Sequence, residues 1–179
     1  MTSSTASADI SFKNLRRLYI FALLTIAITV LLSQLLIQHN LHSQLSDSRI
    51  INISGKQRML SQKLTKEILI LNFIADSTNN EEKIVEANEI IKLWKFNQDA
   101  LENGNDSLGF PKEKSKELSD LFVAIKPNFN NIVNAATVFL NNKKAGINEK
   151  ENQQLVQDIL QNQGLFLDKM NQIVGQYDK

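Results

Sequence analysis

Leu18 to Ile37 reads LYIFALLTIAITVLLSQLLI, twenty residues whose only polar members are Tyr19, Thr25, Thr29, Ser33 and Gln34. As an α-helix, twenty residues span roughly 30 Å, the thickness of a bilayer's hydrocarbon core. No Asp, Glu, Lys or Arg occurs between Leu18 and Ser46, so the stretch reads as a membrane-spanning helix. A secretory signal would carry an apolar core of about 7–15 residues followed by a small-x-small cleavage site. The sequence SQLLIQHNLHSQ from Ser33 offers no such site, and an uncleaved anchor is expected. Lys13, Arg16 and Arg17 crowd the N-terminal flank, whereas the far flank carries only His39 and His42 before Asp47. The positive-inside rule then leaves the N-terminus in the cytoplasm. Residues 1–17 are expected to be a cytoplasmic segment, 18–38 a single pass through the inner membrane, and 41–179 a periplasmic domain.

The remaining composition favours helices. The chain has 179 residues, 42% of them hydrophobic, with two prolines, six glycines and no cysteine. So few turn formers argue against an all-β domain. Without cysteine there is no disulfide scaffold, thiolate metal site or thiol nucleophile. A net charge of +1 gives no electrostatic reason to propose nucleic acid as a partner.

Punctuation and periodicity divide the exported part into four helices. The first continues from the membrane to about Ala75, where Asp76-Ser-Thr-Asn-Asn80 stops it. Ser77 or Thr78 can cap the second, with Glu81 and Glu82 in its first turn. That helix carries Ile84, Val85, Ala87, Ile90, Ile91, Trp94 and Leu101 at three- and four-residue spacings, the mark of a buried stripe. Asn103 to Pro111 is the longest break. Helix three carries Leu118, Leu121, Phe122, Ile125, Phe129, Ile132, Val133, Ala136 and Leu140, with a kink or local break expected at Pro127. Asn141 to Gly146 closes it. Helix four starts near Asn148 and presents Leu155, Ile159, Leu160, Leu165, Phe166, Met170, Ile173, Val174 and Tyr177. Short loops between four such helices imply antiparallel neighbours, so the expected fold is all-α: a transmembrane helix continuing into an antiparallel up-down four-helix bundle. Helix four would return toward the membrane. A receptor needs a second membrane helix there, so the chain reads as the input half of a longer protein.

Chemistry concentrates in helix one at Ile51-Asn-Ile-Ser-Gly-Lys-Gln-Arg-Met-Leu-Ser-Gln-Lys63. Glycine inside a helix costs about 1 kcal/mol relative to alanine, so Gly55 suggests close approach by another backbone or a ligand. Ile51, Gly55, Arg58 and Gln62 share one face, while Ile53, Leu60, Leu64 and Leu71 share another suited to the core. If two copies of helix one pack in parallel, both Arg58 side chains approach the two-fold axis. They repel there unless an anion sits between them, and planar guanidiniums suit a planar oxyanion.

INISGKQRMLSQKL resembles the box of the N-terminal sensory domain of type IV pili methyl-accepting chemotaxis transducers, which is similar to the input domain of nitrate/nitrite sensor histidine kinases. WKFNQDALENG, Trp94 to Gly104, resembles that family's second-helix pattern, with Asn97 at the usual histidine position. LDKMNQIVGQY resembles its closing segment. The resemblance implies a periplasmic four-helix bundle between two membrane helices, dimeric through helix one. It also implies that Arg58 stands where the nitrate sensors hold their anion and that Gly55 matches the box glycine. Lys56 and Lys63 replace arginines, keeping charge and losing fork geometry. Arg58, Gly55, Gln62 and Lys63 are the expected ligand-binding residues, nitrate or nitrite the expected kind of ligand, and a second copy and the membrane the expected partners.

Other constellations read as structural. His39 and His42 have no nearby carboxylate before Asp47 and are expected to be interfacial polar residues rather than metal ligands. Asp99 to Gly104 fails as a calcium loop because Leu101 and Phe110 fall on ligand positions. Trp94 with Phe96 reads as bundle packing. No nucleophile–base pair, phosphate-binding loop or metal cluster is legible, so no catalytic residue, cofactor or enzyme activity is expected. The leading function is a sensor input module. Its rivals are an interaction module that binds a partner protein through the helix-one face and a membrane-tethered structural protein.

Overall fold

The computed structural model describes residues 4–73, 80–147 and 149–177. They form four α-helices: α1 (Ser4–Phe73), α2 (Asn80–Asn103), α3 (Lys116–Ala145) and α4 (Glu149–Tyr177). Ser77, Thr78 and the start of helix four at Asn148 lie outside the described residues. The chain divides into two units, Met1–Leu45 and Ser46–Lys179.

In the first unit, one stretch is long and apolar enough to cross a membrane, Asn14–Gln38, and none of it is buried. Two of its hydroxyls are satisfied within the helix. Thr25 donates to the Phe21 carbonyl at 2.8 Å and Thr29 to the Thr25 carbonyl at 2.5 Å. A helix that meets its own polar needs can face lipid with its remaining side chains.

The second unit is an antiparallel up-down bundle, as its cross-helix pairs show. Gln57, Lys63 and Glu67 of α1 meet Gln98, Glu86 and Lys83 of α2 in reverse order. Asn128 and Asn142 of α3 likewise meet Asn162 and Asn152 of α4, and Arg58 of α1 meets Asn171 of α4. Leu60, Leu64, Ile68 and Leu71 of α1 pack with Ile84, Trp94 and Leu101 of α2, Phe122, Ile125 and Phe139 of α3, and Ile159, Phe166 and Met170 of α4. Trp94 is the centrepiece. It meets the rings of Phe129 and Phe166 edge-on, with centroids 4.9 and 5.0 Å away.

Local chemistry ends the helices where the sequence changes. The Ser115 hydroxyl caps α3 by accepting from the Leu118 amide at 3.2 Å, and Gly146 closes it in the left-handed conformation at φ 68°. Between α2 and α3, Asp106–Leu108 forms a 3-10 turn, closed by a bridge between Asn105 and Phe110. Gly104 opens that loop at φ 79°, and a Cβ there would lie 2.8 Å from the Lys112 Cα. Only glycine fits such a conformation against another backbone.

Several expectations are corrected. Val85, Leu160 and Leu165 fit the periodicity yet are exposed, as is Phe96; each lies beside a buried neighbour, at the edge of a stripe that one helix face is too narrow to cover. Pro127 does not break α3, which runs through it. Buried Phe122, Ile125, Phe129 and Ile132 hold both halves to the core. Lys169 donates to the Ala124 carbonyl at 3.0 Å, supporting the backbone beside the proline.

Candidate functional site

Arg58 projects from the side of α1 nearest α4. Its Nη1 donates to Asn171 Oδ1 at 2.7 Å, and its Nη2 lies over Gly55, 3.7 Å from where a Cβ would stand. The partner is a neutral carboxamide, and among the described residues no carboxylate pairs with this guanidinium. A half-buried cation is thereby held in one orientation while its charge stays uncompensated. Such a group can receive an anion by charge-assisted hydrogen bonds, the stronger kind.

The other expected site residues are dispersed. Gly55 lies beside Arg58, and an alanine there would make only ordinary contact within this chain. Gln62 is exposed on the outward face of α1 with Met59. Lys63 points to α2, where its Nζ meets Glu86 Oε1 at 2.6 Å. Asn171 escaped the sequence reading: nothing local marks it, and only the fold brings α4 to Arg58.

The Lys63–Glu86 pair has a testable pH signature. Glu86 raises the Lys63 pKa above 10.5 through its hydrogen bond and charge, and Lys63 lowers that of Glu86 below 4.5. Stability from Glu86 is lost as pH falls through its depressed folded value, and that from Lys63 is lost as pH rises through its raised one. Both groups are well exposed, so the effect is small. Melting temperatures of wild type and Lys63→Ala are expected to differ slightly at neutral pH and to converge in strong acid, where Glu86 is protonated in both.

A second polar region lies inside the bundle. Ser54, Gln57 and Ser61 of α1 and Asn97 and Gln98 of α2 are all buried. Gln57 Nε2 donates to Gln98 Oε1 at 2.9 Å and reaches the Trp94 carbonyl at 3.4 Å. The periodicity could have revealed it, since Gln57 lies between Ile53 and Leu60 on the core face, and Asn97 and Gln98 between Trp94 and Leu101. A groove of about 430 Å³ between α3 and α4, lined by Asn131, Asn134, Asp158 and Asn162 among others, does not include Arg58. No group of three or more metal-ligating side chains occurs among the described residues.

The two sequence segments thus converge, the first supplying Arg58 and Gln57 and the second Trp94 and Gln98. Residues 39–161, which contain both, match the family model described as the type IV pili methyl-accepting chemotaxis transducer N-terminal domain. The chain belongs to this family. No curated protein and no solved structure matches it. The transducer domain is a sensory rather than a catalytic one, and together with the apolar helix at Asn14–Gln38 it fits a membrane protein.

Proposed function

We propose that this transducer-family domain is the extracytoplasmic input module of a membrane receptor. It pairs with a second copy through the outward face of α1 and binds a small oxyanion of the nitrate or nitrite kind between two Arg58 side chains. The observation that carries this reading is the guanidinium held over Gly55 by a neutral partner, with its charge unmatched. Two such cations facing each other repel until an anion lies between them. Ligand binding then favours whichever arrangement of the helices brings the arginines to the anion, by its differential affinity for that arrangement. Calorimetric titration of the full chain in detergent with nitrate and with nitrite tests it; heat that saturates with either supports the reading. Absence of binding by both favours the alternative, an interaction module whose α1 face meets a partner protein.

Orientation has its own test, motivated by the basic flank at Lys13, Arg16 and Arg17. An enzyme reporter that works only outside the cytoplasm, fused after Lys179, is expected to be active. Activity instead from a reporter that works only in the cytoplasm would reverse the topology and remove the sensor reading.

A further inference from the structure

The polar layer between α1 and α2 carries more hydrogen-bonding capacity than its own side chains use. Among the described residues, Ser54 Oγ, Gln57 Oε1, Trp94 Nε1, Asn97 Nδ2 and Gln98 Nε2 are buried without a partner. None of these residues is more than 3% exposed. The indole N–H donates only, so Trp94 needs an acceptor whichever way the carboxamides are turned. Buried polar atoms in folded proteins are nearly always paired, and each left bare carries its full desolvation cost.

The five atoms lie on two stretches of helix that touch. Ser54 and Gln57 are three residues apart on one face of α1, Trp94 and Asn97 three apart on one face of α2. The Gln57 contacts to Gln98 and to the Trp94 carbonyl tie the two faces together. We infer that this seam is an internal water site, in which a bound water accepts from Trp94 Nε1–H and Asn97 Nδ2–H and donates to Gln57 Oε1 and Ser54 Oγ. Water suits these four groups because it offers two acceptor and two donor positions; Gln98 Nε2, a third donor, needs a further acceptor. An anion would satisfy the donors but would be buried without a cation, at far greater cost. Buried waters typically make about three hydrogen bonds each, and the seam supplies enough groups for that. The site is independent of the anion reading, since Arg58 is not among its atoms. It makes α1 and α2 meet through exchangeable hydrogen bonds at this level rather than through dry interdigitation.

Trp94 is the chain's sole tryptophan, so its indole proton is a single reporter. In the full chain labelled with ¹⁵N-tryptophan and held in detergent, that proton is expected to show a cross-peak to water with the sign of a long-lived hydration site. Its absence would overturn the proposal. Asn97→Leu separates a wet seam from a dry one by sign. In a wet seam it removes a water ligand, so the melting temperature falls and Trp94 emission moves to shorter wavelength. In a dry seam it deletes an orphaned donor, the melting temperature rises, and the proposal fails. If the variant does not fold, the wild-type cross-peak decides.

Discussion

Trp94→Ala is expected to remove about 3–5 kcal/mol of stability, the range for deleting a fully buried large aromatic side chain. Trp94 has no exposed surface and anchors two edge-on ring contacts, so its loss opens a cavity bordered by α3 and α4. Domains are typically stable by only about 5–15 kcal/mol, so this one change consumes much of the margin. Urea unfolding followed by circular dichroism measures it without relying on the missing fluorophore. Phe96→Ala, two residues away and half exposed, supplies the contrast at within about 0.5 kcal/mol. Similar losses for both would mean that α2 is rotated from the orientation described.

Arg58→Ala carries the second large effect, on binding rather than folding. In a dimer it deletes both halves of the anion site, and charge-assisted hydrogen bonds are worth roughly 1.5–3 kcal/mol apiece. Affinity for nitrate or nitrite is therefore expected to fall at least about tenfold. Stability should change little, since the hydrogen bond lost in the fold is the exposed one to Asn171. Arg58→Lys keeps the charge without the fork and should bind with intermediate affinity. Asn171→Ala frees the guanidinium's orientation and should weaken binding less than Arg58→Ala. Equal anion affinity in wild type and Arg58→Ala would place the site elsewhere.

The apolar helix was legible from its length and lack of charge, and the bundle and most of the core from periodicity. Leu60, Leu64 and Leu71 on α1 and Phe122, Ile125 and Phe129 on α3 are buried as their spacing requires. Periodicity does not say how wide a stripe its neighbours will cover, and Val85, Leu160 and Leu165 fell outside. At the candidate site, Arg58 and Gly55 could be read from one helix, since they are three residues apart. Asn171 could not, being 113 residues away in sequence. Lys63 stands where the family's box carries an arginine and so reads as a ligand residue from the resemblance. A helix carries residues 58 and 63 to different sides, and Glu86 on α2 occupies it. The buried seam was hidden differently: Gln57 and Asn97 obey the core spacing but are polar, so a search for apolar positions passes over them.

Disulfide crosslinking between copies of α1 in native membranes tests the central claim most directly, namely that its outward face is where two chains meet. The chain contains no cysteine of its own, so any crosslink reports the introduced residue. Equivalent residues near a two-fold axis face each other, and a disulfide forms when their Cα atoms come within roughly 4.4–6.8 Å. Gln62→Cys, on the exposed face, is expected to yield a covalent dimer, whereas Leu60→Cys, only 3% exposed in the core, is expected to stay monomeric. Efficient crosslinking through Leu60→Cys with none through Gln62→Cys would contradict the dimer face and the anion site built upon it.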